Sequence, residues 1–115
     1  MINQTALRLA VFAAALYMNS VPAAEADAAL NGARRLELIR LVRNDCGSCH
    51  GLTLSGGLGP ALLPDALHHK PVESLKSTIL NGRPGTAMPP WSRFISPPEA
   101  EWIVNELING FPDDR

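Results

Sequence analysis

Cys46-Gly47-Ser48-Cys49-His50 contains both cysteines of the chain, and the reading of this stretch decides the fold. On one helical turn, residues i, i+3 and i+4 share a face, so two thiols and an imidazole are presented together. In an exported protein the pattern C-x-x-C-H reads as a haem attachment site. Cys46 and Cys49 can form thioethers with the two vinyl groups while the His50 imidazole lies under the iron. The same residues could instead form a disulfide, a thioredoxin-like redox pair, or a zinc site completed by His68 or His69. No alternation of strands and helices supports a thioredoxin-like unit, and the direct Cys49-His50 junction favours haem over zinc. One covalently bound haem c per protein molecule is the expectation.

Upstream of the motif the N-terminus has the layout of a secretory leader. Arg8 closes a short polar lead, Leu9 to Met18 is apolar, and Val21-Pro22-Ala23-Ala24 offers a small-residue cleavage site. The apolar stretch falls short of the ~20 residues of a membrane span, so we expect a signal peptide over 1–24 and a periplasmic haem domain over 25–115. No membrane association is expected after cleavage. Removal of 1–24 takes out one charged residue among Lys, Arg, Asp and Glu besides Glu25 onward, namely Arg8, and moves the net charge from −1 to −2. With so little net charge and no run of like charges, a nucleic-acid surface is not expected. The length points to one domain, and a domain this short often needs a cofactor or crosslink as a staple.

Downstream, Met88 is the single methionine left after cleavage, and it sits in Gly85-Thr86-Ala87-Met88-Pro89-Pro90. Prolines restrict their own φ and the residue before them, which suits a loop holding a thioether against iron. Met88 is therefore the candidate sixth ligand beside His50, with His68-His69 as the competitor. Arg83, between Gly82 and Pro84, is a candidate partner for a haem propionate; the alternative is a solvated arginine.

Three helices are expected around these groups. The first runs from about Ala28 to Asn44, where Leu38, Leu41 and Val42 lead at helical spacing onto the haem motif. The second starts at Pro71, carries Val72, Leu75 and Ile79 on one face, and stops at Gly82. The third opens with Ser96-Pro97-Pro98-Glu99, an N-cap serine with a capping-box glutamate, and has the stripe Ala100, Ile103, Val104, Leu107, Ile108. Trp102 falls opposite that stripe, so it should cover a loop or chain end, or face a partner. No strand pattern is present.

In order and spacing, the haem motif with Gly51, then Gly59-Pro60, Asn81-Gly82, Met88-Pro89 and a C-terminal amphipathic helix, resembles the class I cytochromes c. The resemblance implies an all-α fold of three to four helices around the haem. It also implies that the Pro60 carbonyl accepts a hydrogen bond from His50, and that Leu38 and Val42 pack on Ile103, Val104 and Leu107. The aromatic that members carry on the last helix is absent near Glu106. The strings Leu41-Val42-Arg43-Asn44-Asp45, Leu52 through Pro60, and Gly82-Arg83-Pro84-Gly85 through Trp91 resemble more narrowly the small exported cytochromes c encoded with cytochrome cd nitrite reductase in denitrifying bacteria. The implied role is a monomeric electron carrier, not an enzyme, with redox proteins as partners. Its implied acceptor is that reductase or, alternatively, a redox step in haem d maturation.

His/Met ligation favours reduced iron and leaves no open site for substrate, which fits electron transfer without reference to any relative. Leu52, Leu54 and Leu58, with Pro89-Pro90-Trp91, are candidate contact residues. A haem that binds gas or peroxide is the competing class, and carbon monoxide separates the two: a ferrous spectrum unchanged by the gas marks the carrier.

Overall fold

A computed structural model describes residues 30–113; the expected leader, and the expected helix start at Ala28, fall outside them. Five α-helical segments follow in order: α1 (Gly32–Leu41), α2 (Gly47–His50), α3 (Pro64–Leu67), α4 (Val72–Asn81) and α5 (Pro97–Asn109). Among the described residues there is no strand, in keeping with the all-α expectation.

The first helix differs from its expected course at both ends. It begins at Gly32 because the Asn31 side chain accepts the Arg34 N–H at 2.8 Å, a cap that satisfies one of the first turn's unpaired donors. It does not run straight to Asn44: Val42–Cys46 form a π-helical turn, in which the Gly47 N–H reaches the Val42 carbonyl five residues back. An α-helix drifts by about 40° for every four residues. One wider turn offsets part of that drift and keeps Cys46 near the line of Leu38 and Val42. Such single π-turns recur at functional sites.

The later helices start and stop where the local chemistry places them. α4 is preceded by Pro71 in an extended conformation and ends at Gly82, whose φ is +67°. α5 has a complete capping box: Ser96 Oγ accepts from the Glu99 N–H at 3.4 Å and Glu99 Oε2 from the Ser96 N–H at 2.7 Å. Pro97 and Pro98 occupy its first turn, where a missing N–H costs nothing.

One core joins the first helix to the last. Leu38, Val42, Leu54, Leu67, Ile95, Ala100, Ile103 and Leu107 form a buried cluster, and Val104 is also fully buried. Arg34 and Arg43 tie the chain ends over it. Arg34 Nε meets Glu99 Oε1 at 2.6 Å, and Arg34 Nη2 donates to the Phe94 carbonyl at 2.9 Å. Arg43, in the π-turn, donates to the carbonyls of Phe111 (2.6 Å) and Pro112 (3.0 Å) and lies over the Phe111 ring.

Two side chains are placed differently from one of their sequence readings. Trp102 is buried and faces no partner. It covers the chain end, with its ring 6.3 Å from that of Phe111 and the Arg35 guanidinium 5.8 Å above it. A helical-wheel angle of this kind gives the direction of one neighbour, and α5 has neighbours on two sides. Leu54, grouped with the contact leucines, is 2% exposed. Its φ of +60° turns the loop back and sends the side chain into the core.

Candidate functional site

The haem-motif turn is held by the loop that follows it. A helix leaves its last carbonyls without intrahelical partners, and here the loop supplies them: Gly56 N–H donates to His50 O and Gly59 N–H to Cys49 O, both at 2.8 Å. The reversal needs Gly51, with φ of +89°, where an added Cβ would lie 2.6 Å from the Gly56 carbonyl oxygen.

That loop also orients the imidazole. His50 Nδ1 lies 2.7 Å from the Pro60 carbonyl oxygen. A carbonyl can only accept, so Nδ1 carries the proton and Nε2 keeps its lone pair. Gly59 fits beneath the ring: a Cβ there would come within 2.7 Å of His50 Cε1 and 2.8 Å of Nδ1. Glycine is the residue that allows this approach.

Cys46 is half-buried, Cys49 is exposed, and the two are not linked as a disulfide. Burial, helped by the neighbouring Asp45 charge, pushes the Cys46 thiol up to about 11. A thioredoxin-like pair needs a depressed thiol, so the shift has the wrong sign for dithiol redox chemistry. Among the described residues no group of three or more His, Cys, Asp or Glu side chains is placed to hold a metal ion. His68 and His69 stand exposed after α3, with His68 Nδ1 on the Pro64 carbonyl, and the zinc alternative is not assembled. Two unlinked thiols on one turn with an imidazole of fixed tautomer do fit a porphyrin with two vinyl groups and an iron.

Met88 is half-buried in a loop strapped to the end of α4. Arg83 N–H donates to the Met88 carbonyl at 3.1 Å, and Trp91 N–H to the Ile79 carbonyl at 3.0 Å. Gly82 makes this possible, since a Cβ there would stand 2.6 Å from Met88 O and 2.8 Å from Pro90 N. Inside the loop, Thr86 Oγ1 donates to the Arg83 carbonyl at 2.7 Å and accepts from the Met88 N–H at 3.3 Å. The sequence reading missed Thr86; a hydroxyl residue two before the candidate ligand was the available signal. The Arg83 side chain is exposed. Trp91 is half-buried against the core, with its ring 6.0 Å from that of Phe94.

Covalent attachment at two thiols and one prepared imidazole is the chemistry of a c-type cytochrome, an electron-transfer protein with one bound haem c rather than an enzyme. Comparison with known proteins agrees. The family model described as cytochrome C oxidase, cbb3-type, subunit III matches residues 34–105, and the protein belongs to this family of c-type cytochrome domains, with the class I fold. It is similar to cytochrome c55X of Pseudomonas aeruginosa, 54% identical over 85 residues that cover 74% of this sequence and 71% of that one. A solved structure described as c-type cytochrome NirC superposes with a TM-score of 0.69 at 54% identity, covering 70% of this sequence and 95% of the other. Dihydro-heme d1 dehydrogenase of Pseudomonas aeruginosa is 35% identical over 72 residues, or 63% of this sequence but 15% of that protein.

Proposed function

We propose that this protein is a periplasmic electron carrier in which His50 and Met88 are the axial ligands of the haem iron, and that it delivers electrons to cytochrome cd nitrite reductase. The observation that carries the carrier reading is the 2.7 Å bond from His50 to the Pro60 carbonyl, which prepares a neutral imidazole with one nitrogen for iron. Haem c, when bound, supplies an iron that gains or loses one electron. The protein's own residues do the rest. Cys46 and Cys49 attach the ring, and the Pro60 carbonyl raises the basicity of His50. The loop from Gly82 to Trp91 presents the Met88 sulfur and keeps water from the sixth position. A thioether at that position favours the reduced state.

The acceptor rests on the loop strings shared with the small cytochromes encoded beside that reductase, and on the similarity to cytochrome c55X and NirC. Haem d maturation is the second reading, favoured by the likeness to dihydro-heme d1 dehydrogenase. A dehydrogenation releases electrons that a one-electron carrier could receive. Stopped-flow mixing of the reduced protein with purified cytochrome cd nitrite reductase tests the first reading: haem oxidation should keep pace with turnover. Transfer much slower than turnover moves the assignment to maturation.

A further inference from the structure

The charges of this protein avoid the haem ligands. All ten Lys/Arg and all eleven Asp/Glu lie outside two segments, residues 46–64 and 84–92. The first carries Cys46, Cys49, His50 and Pro60; the second carries Met88. At the overall 18% charged residues, these 28 positions would be expected to hold about five. The charged residues begin again at the very edges, with Asp45, Asp65, Arg83 and Arg93.

Close packing of glycine-rich loops does not account for the whole pattern, because several of these residues face outward. Leu58 is 93% exposed and Leu52 72% exposed, and Pro60, Ala87, Pro89 and Pro90 are exposed as well. By contrast Leu54 and Leu62, from the same loop, turn toward the core. Exposed leucines beside uncharged polar residues such as Ser48, Thr53 and Ser55 make a surface that water solvates poorly and that no counter-charge recognises.

We propose that this uncharged rim, with Leu52 and Leu58 as its apolar contacts, is the docking surface of the protein, and that it fits a redox protein whose own electron-entry face is apolar and uncharged. The proposal rests on the His50/Met88 carrier reading, which places the two segments on opposite faces of one haem. The absence of charge selects the partner: a strongly acidic or basic entry face would lose its hydration against this rim and gain no ion pair in return. Association through such a surface gains little from long-range steering, so its rate should be nearly independent of salt.

The test uses the full holoprotein and two partners. Stopped-flow oxidation by cytochrome cd nitrite reductase is followed across ionic strengths of about 0.01 to 1 M, over which the Debye length falls from ~30 to ~3 Å. Electron self-exchange between oxidised and reduced copies, measured by NMR line broadening in the same salt series, probes the rim without the reductase. The expected result is a second-order rate constant that changes less than about threefold across the series. Leu58→Asp and Leu52→Asp should each slow both reactions about tenfold or more while leaving the haem spectrum unchanged, whereas Leu36→Asp, at an exposed position on α1, should not. A rate that falls steeply with salt in both reactions, or leucine variants that transfer at the parental rate, would overturn the proposal. So would loss of the methionine–iron band in Leu58→Asp, which would return that leucine to haem packing. If the reductase reaction fails and self-exchange behaves as expected, the acceptor assignment falls and the surface stands.

Discussion

At the residue scale, the site depends on a few atoms that permit no substitute. Gly59 is one: its missing Cβ is the space that the His50 ring uses. Gly59→Ala should cost about 1–3 kcal/mol through overpacking, read as a fall in the melting temperature, and should lower the yield of holoprotein because the ring leaves the Pro60 carbonyl. An unchanged melting temperature would show that the loop gives way freely. Met88 is the second. Met88→Ala should abolish the sulfur-to-iron charge-transfer band of the oxidised protein and lower its reduction potential, since the thioether favours ferrous iron. The paired change His68→Ala with His69→Ala should keep the band, and its loss there would move the sixth ligand to a histidine. The motif residues were legible in the sequence because thioether attachment requires a fixed spacing. Thr86 was not, because its role depends on two hydrogen bonds that form only once the loop has closed on α4.

At the element scale, what could be read from sequence was local and what could not was competitive. The Ser96/Glu99 box and the Gly82 stop are decided within a turn of the backbone, and both stand where the residues place them. The π-turn at Val42–Cys46 arises from competition between carbonyls for the same N–H, and residue types do not decide that. Glu99 belongs to both kinds: it caps its own helix and also receives Arg34 from α1 at 2.6 Å. The Arg34 hydrogen bond, supported by the Ser96 backbone and side chain, holds the Glu99 carboxyl below its ordinary value of 4.5. A carboxylate with a lowered folded pKa contributes stability that is fully present above 4.5 and is lost as pH falls through the lower folded value. Glu99→Gln should therefore destabilise the protein by about 1 kcal/mol at neutral pH. It should have a smaller effect in acid, and the two stability curves should converge as pH falls below the ordinary carboxylate range. Parallel curves down to the lowest pH would mean that the Arg34 contact is screened by solvent.

At the scale of the whole molecule, the question is what holds so short a protein in one shape. The buried cluster is aliphatic and small, Trp102 is the sole large aromatic among its buried members, and α4 has no fully buried residue along its ten positions. Its apolar residues Leu75 and Ile79 are only half-buried against that core. A domain of this size buries a modest share of its unfolded surface, and a ligand bound to the native state alone adds its binding free energy to stability. Covalent haem would be that ligand, joined permanently to the turn at Cys46–His50, so folding and attachment should be coupled. Cys46→Ser with Cys49→Ser, exported in the same way, should give a protein without denaturation-resistant haem and without a cooperative melting transition. In hydrogen exchange, α4 amides should lose protection first, while α5 retains some through its packing on α1. The parental protein should keep its haem through denaturation and show the bis-thioether spectrum in pyridine. If the double serine variant melts cooperatively near the parental temperature, the aliphatic core is sufficient alone and the haem is cargo rather than staple.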